Sequence, residues 1–125
     1  MKWDIDVATF AQHWCDKLKN EDKMEHSKGS GFGENLFWAS GDSSSVDAGK
    51  SAVKLWYDEI KDYDYYHPEF SGKTGHFTQV VWRSSTKVGC GIAIKGKSTW
   101  VCCNYSPPGN FIGQYGANVF RPTNQ

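Results

Sequence analysis

No stretch of this 125-residue chain stays apolar for more than three or four residues, Val80-Val81-Trp82 being typical. A helix that crosses a bilayer needs about 20. Net charge is lacking too: fourteen Lys and Arg balance fourteen Asp and Glu. Without a basic footprint there is little to release counterions from a phosphate backbone, so no nucleic-acid partner is expected. The four cysteines, Cys15, Cys90, Cys102 and Cys103, form no C-x-x-C pair, which disfavours a zinc ribbon or a thioredoxin-type site. There is no G-x-S-x-G nucleophile motif, no internal repeat and no low-complexity tail. A charged segment followed by an apolar one does not open the chain. Met1-Lys2-Trp3-Asp4 therefore reads either as the start of a cytosolic protein or as a mature chain with its leader removed.

What the chain has in abundance is rings. Six tryptophans, six tyrosines and seven phenylalanines accompany thirteen glycines, while the hydrophobic fraction is only 38%. Such a composition builds a core from a few large aromatic side chains joined by glycine-rich loops. Residues 1–125 are the size of one domain. Four cysteines in a small, loop-rich chain point to an oxidising compartment, so a secreted or luminal setting is expected.

Val7, Phe10, Ala11, Trp14 and Leu18 form one apolar stripe and predict a helix from about Asp6 to Asn20, capped by Asp4 or Asp6. The polar stretch from Glu21 to Gly33 reads as a loop. Asn35-Leu36-Phe37-Trp38 is a short apolar knot, followed by a linker-like run from Ser40 to Ser45. A second helix is expected from Val46 to Ile60, capped by Ser45 or Asp47, with Ala48, Ala52, Leu55, Trp56 and Ile60 on its inner face. Glu59 falls on that apolar side, where a carboxylate is costly unless paired. Tyr63 to Phe70 is an aromatic loop, interrupted by Pro68. Gly75 to Trp82 fits either a strand or two helical turns. Ala117 to Phe120 reads as a short last strand.

The clearest local signal is a hairpin. Val88, Cys90, Ile92 and Ile94 alternate before Gly96, and Thr99, Val101, Cys103 and Tyr105 alternate after it. A two-residue type II′ turn at Gly96-Lys97 pairs Ile94 with Thr99, Ile92 with Val101 and Cys90 with Cys103. Directly opposed residues have Cα atoms roughly 4.5–5.5 Å apart, so Cys90 and Cys103 are expected to form a disulfide. Cys102 then points through the opposite face, where Cys15 of the first helix could meet it as a second bridge. Asn104-Tyr105-Ser106 satisfies a glycosylation sequon, yet sits at the end of a core strand, so its use is not expected.

Of four histidines, His13 and His67 read as surface or packing residues, whereas His26 and His76 lie where loops meet regular elements. With Glu34 and Glu59 they could form a divalent-metal site or an acid–base pair, although spacing alone does not bring them together. The segment Gly75-His76-Phe77-Thr78-Gln79-Val80-Val81-Trp82-Arg83-Ser84-Ser85 resembles a signature of the superfamily of cysteine-rich secretory proteins, antigen 5 and pathogenesis-related protein 1. Cys103-Asn104-Tyr105-Ser106-Pro107-Pro108-Gly109-Asn110-Phe111 resembles its second signature; Trp100 stands where a smaller aliphatic, Phe, Tyr or His is usual. Gly33-Glu34-Asn35-Leu36 and the Trp56 to Glu59 helix match two further elements, in the right order.

The resemblance implies an α+β fold: a three-layer α-β-α sandwich around a largely antiparallel sheet, with the His76 segment helical. It also implies a central tetrad of His26, Glu34, Glu59 and His76, in which the two histidines can hold zinc or another divalent ion weakly, with water completing the shell. The family's usual first helix, with its His-Asn-x-x-Arg motif, has no counterpart here. One sheet face is thus expected to be less covered and to need a partner, a second copy of the chain or rearrangement. The resemblance further implies binding of a sterol or similar small hydrophobic ligand, with Tyr63, Tyr65, Tyr66 and Phe70 as candidate contacts. A non-enzymatic secreted module is the reading preferred. The alternatives are a defence or host-contact module that engages a protein or membrane surface, and, behind it, a metal-assisted hydrolase using Glu34 or Glu59 as base.

Overall fold

The computed structural model describes residues 1–41 and 44–122, so Asp42 and Ser43 of the polar linker lie outside the described residues. Along the chain run β1 (Lys2–Trp3), α1 (Ile5–Glu21), β2 (Gly33–Ser40), α2 (Ser45–Asp58) with a 3-10 turn (Glu59–Asp62), α3 (Gly75–Val81), β3 (Lys87–Lys95), β4 (Ser98–Ser106) and α4 (Tyr115–Asn118). The sheet order is β1-β3-β4-β2; β1 pairs with β3 in parallel and the other pairings are antiparallel. This is the expected α+β sandwich. Among the described residues no helix is long and apolar enough to cross a membrane.

Helix α1 begins where Asp4 accepts a hydrogen bond from the Val7 N–H at 3.0 Å and ends where Asp22 turns left-handed at φ 52°. Val7, Ala11, Cys15 and Leu18 are its buried stripe, while Phe10 and Trp14 flank it. It lies close on β3: a Cβ built at Gly89 would stand 2.1 Å from the Ala8 nitrogen, and one at Gly91 2.5 Å from the Gln12 Cα. Gln12 also reaches the strand itself. Its Nε2 donates to the Ile92 carbonyl at 2.8 Å, and its Oε1 accepts the Ile92 N–H at 3.0 Å.

The two faces of β4 are read off alternate residues. Trp100 and Cys102 pack with Leu36, Cys15 and Leu18 under α1. Val101, Cys103 and Tyr105 pack with Ala48, Ala52 and Trp56 of α2 on the other face. A third cluster of Tyr63, Phe77, Trp82, Tyr115 and Val119 ties α3 and the aromatic loop to the C-terminal segment.

The hairpin has the expected register, Lys95 opposite Ser98 and Cys90 opposite Cys103. Gly96 opens the turn at φ 61°, and Cys90 and Cys103 are joined with their Cα atoms 4.1 Å apart. Five expectations are corrected. The apolar knot at Asn35–Trp38 belongs to β2, an eight-residue strand paired along its whole length with β4. Helix α2 is capped by Ser44, whose Oγ accepts the Asp47 N–H at 3.1 Å, and Leu55 is 57% exposed because it lies off the Ala48–Ala52–Trp56 stripe. Ala117 and Asn118 close a helical turn instead of opening a strand, since Asn118 Nδ2 bonds back to the Gln114 carbonyl and Oδ1 accepts the Ser84 N–H. Cys15 and Cys102 meet as foreseen but remain free, buried thiols. Cys15 Sγ points at the Gly91 and Trp100 carbonyls, and its thiol, with burial, pushes Cys102 up.

On the α2 face the sheet carries an open groove of about 680 Å3, whose walls include Trp3, Val53, Ile92, Ile94 and Val101. Trp3, Val53 and Ile94 are each about half exposed or more.

Candidate functional site

Four segments converge at one end of the sheet. Glu34, near the start of β2, is held by the strand pairing opposite Asn104 of β4. His26 belongs to the loop before β2, Glu59 to the turn that ends α2, and His76 to the first turn of α3. The family resemblance brought these residues together; the structure groups them as two hydrogen-bonded His–Glu pairs. His26 Nδ1 lies 2.8 Å from Glu34 Oε1, and His76 Nδ1 lies 2.9 Å from Glu59 Oε2. In each case an Nδ1–H donated to a carboxylate leaves Nε2 as the free lone pair, the arrangement by which carboxylates orient metal-binding imidazoles.

The carboxylates are fixed by more than their histidines. Glu34, only 6% exposed in its side chain, accepts from the Ser27 N–H at 2.9 Å, from Ser27 Oγ at 2.5 Å and from Asn104 Nδ2 at 3.0 Å. Burial pushes its pKa up, but the hydrogen bonds from His26, Ser27 and Asn104 outweigh burial and hold it below the usual range. Glu59 Oε1 accepts the Phe77 N–H at 3.0 Å and so satisfies a free donor at the start of α3. His26 is raised by its bond to Glu34, with burial opposing. A lowered Glu34 stabilises the fold above its ordinary 4.5 and loses that contribution as pH falls. A raised His26 stabilises below its ordinary 6.5 and loses its contribution as pH rises. The pair thus acts fully only between about 4.5 and 6.5. The imidazole is 64% exposed, so solvent screens it and the pair orients the ring more than it stabilises the chain.

His76 has a further support that the sequence did not disclose. The Trp56 indole stacks on it with centroids 6.2 Å apart and planes 8° from parallel, while Trp56 Nε1 donates to the Leu36 carbonyl at 3.2 Å. Asn35 Nδ2 donates to the His76 carbonyl at 3.1 Å. Asn104, singled out only as a sequon, is fully buried, with its amide committed to the Gly33 carbonyl and Glu34. The β2–β4 pairing that sets it opposite Glu34 is what the sequence reading lacked.

His26, Glu34, Asn35, His76 and Asn110 line a cavity of about 180 Å3, with Phe70 of the aromatic loop at its wall. Glu59 supports His76 without lining that cavity. Among the described residues no three His, Cys, Asp or Glu side chains cluster as a metal-ligand set. What the cavity offers a cation is two oriented imidazoles. The loop divides in two: Tyr63 is buried against Tyr65 and Phe77, whereas Tyr66 and Phe70 are 82% and 60% exposed. Tyr63 is therefore a core residue, and the Arg121 guanidinium lies over both the Tyr65 and Tyr66 rings, 4.7 and 5.1 Å from their centroids.

Pathogenesis-related protein 1 of Arabidopsis thaliana is 40% identical over 115 residues, covering 91% of this chain and 68% of that protein. Protein PRY2 of Saccharomyces cerevisiae is 40% identical over 121 residues, covering 95% of this chain and 34% of that protein. The chain thus spans about a third of the yeast relative and about two thirds of the plant one. Among solved structures, the crystal structure of NaASP2 with Zn2+ matches with a TM-score of 0.78 and 27% identity, over 90% of this chain and 63% of that one. BmVAL-1 matches at 0.76 and 29%, over 90% and 61%. The sequence profile of the cysteine-rich secretory protein family, CAP, fits residues 1–105, and with this fold and these relatives the chain belongs to that family.

Proposed function

We propose that this CAP domain is a secreted, non-enzymatic module that binds a small hydrophobic ligand of the sterol type and holds a divalent metal weakly at His26 and His76. The observation that carries the reading is the shared cavity: two carboxylate-oriented imidazoles face it, and Phe70 of the exposed aromatic loop stands at its wall. A zinc ion there would have two nitrogen donors from the chain and exchangeable water elsewhere, which favours loose binding over a permanent cofactor. The Zn2+ in the NaASP2 structure supports this assignment. Both glutamates are occupied in orienting histidines and accepting backbone N–H groups, which argues against either as a free general base. The Cys90–Cys103 bond supports an oxidising compartment.

Calorimetric titration with zinc tests the metal site. Wild type is expected to bind weakly and His26→Ala/His76→Ala not at all. Binding should weaken as pH falls, because protons compete for Nε2, and the raised His26 brings that loss in above 6.5. A wild type that binds no zinc at neutral pH would remove the metal from this reading. The ligand is tested separately, with a fluorescent sterol and the variant Tyr66→Ala/Phe70→Ala, whose exposed positions leave the core intact. A loss of about tenfold or more in affinity is expected, and an unchanged affinity would put the ligand elsewhere.

A further inference from the structure

The tetrad cavity is not the only space that His76 borders. His76 also lines a second cavity, of about 490 Å3, walled by Met24, Leu36, Trp38, Leu55 and Trp56. Three of these side chains are large, apolar and open to solvent: Met24 and Trp38 at 46% and Leu55 at 57%. Single exposed apolar residues are ordinary, but three around one concavity of ligand size mark a binding surface. The α2 stripe explains how Leu55 comes to be there. Ala48, Ala52 and Trp56 face the sheet, and Leu55, one residue earlier on the helix, turns out toward the cavity.

The remaining lining residues choose the ligand. Asp58, Glu59 and Asp62 stand against the single cation Lys61. Glu59 is committed to His76 and the Phe77 N–H, and Asp58 is bonded to Lys54 at 2.6 Å. Asp62 has no ion-pair partner among the described residues. An anionic head would meet an excess of carboxylates, whereas a cationic head would meet an exposed carboxylate without an ion-pair partner at Asp62.

We propose that this cavity binds a single-chain amphiphile, its apolar tail against Trp38, Leu55 and Met24 and a cationic ammonium head at Asp62. The site shares His76 and Glu59 with the tetrad, but Tyr66 and Phe70 do not line it, and it needs no metal. Charge complementarity identifies the occupant: the chain as a whole carries no net charge, so it confers no general preference for cations.

The test is calorimetric titration of the full chain, without metal, using decyltrimethylammonium, decanoate and decyl maltoside, each below its micellar concentration. Decyltrimethylammonium should bind about tenfold or more tightly than decanoate, with the maltoside between them. Leu55→Arg and, independently, Met24→Arg should each weaken decyltrimethylammonium and the maltoside by about tenfold, as the tail loses apolar wall and the ammonium meets an added like charge. Both positions are exposed, and thermal melts verify that at least one variant is folded. Asp62→Asn should narrow the ammonium preference and leave maltoside binding unchanged. Decanoate binding as tightly as the ammonium compound would overturn the head-group assignment. Binding of none of the three, or ammonium and maltoside binding untouched by folded Leu55→Arg or Met24→Arg, would overturn the site.

Discussion

Trp56→Ala is expected to cost about 3–5 kcal/mol, the range for truncating a large buried aromatic side chain. That is a substantial share of the roughly 5–15 kcal/mol that holds a domain of this size together. The thermal midpoint should fall by on the order of 10–20 °C. Trp56 is 1% exposed at the centre of the α2 face, among Ala48, Ala52, Val101, Cys103 and Tyr105. Its removal leaves a void that small alanines cannot close. It also strips the stacking partner from His76 and the donor from the Leu36 carbonyl. Trp56→Phe separates these roles: most of the ring stays, the hydrogen bond goes, and about 1 kcal/mol is the expected loss. Circular dichroism melts of the two variants decide the matter. An alanine variant that melts with the wild type would show that the α2 face is not built on this indole.

The second large effect falls on the opposite face. Gly89→Ala and Gly91→Ala are each expected to destabilise by about 1–3 kcal/mol or more, because an added methyl has no space. At Gly89 the obstacles are backbone atoms of Val7 and Ala8; at Gly91 they are the Gln12 backbone and its side chain. Backbone cannot swing aside as a flexible side chain would, so α1 as a whole has to lift from β3. Gly49→Ala is the matched comparison. Its nearest neighbour is Ile92 Cδ1 at an ordinary 3.8 Å, and it sits within α2. There the same methyl should raise stability by up to about 1 kcal/mol through helix propensity. Chemical denaturation curves for the three variants give the signs directly. A Gly91→Ala protein as stable as wild type would mean that α1 does not rest on the sheet.

The parts of this fold legible in the sequence are those where one side of an element faces water. The β3–β4 register followed from alternation on either side of Gly96, and α1 from a stripe interrupted by charge. Strand β2 escaped because both of its faces are covered. Leu36 turns to α1 and Phe37 to α2, so neighbouring apolar residues serve different layers and no alternation survives. Leu55 misled for the converse reason: an apolar residue beside the buried stripe was read as part of it. The tetrad came from the family resemblance. His26, Glu34, Glu59 and His76 sit on four separate segments, and only the tertiary fold makes them neighbours. Nor could spacing reveal that Trp56 would stack on His76, since that contact depends on how α2 and α3 meet.

The Gln12 amide has one more consequence, and it concerns other molecules of the same protein. Beyond its short pairing with β1, β3 is the outermost strand, and an open strand edge is a template on which a second chain can continue the sheet. At Ile92 both backbone groups are already engaged by one side chain, which imitates the donor and acceptor of a neighbouring strand. Across the sheet, the Trp56 indole occupies the Leu36 carbonyl of β2 in the same manner. Two residues that anchor helices thereby also guard the sheet's edges against fibril-like growth.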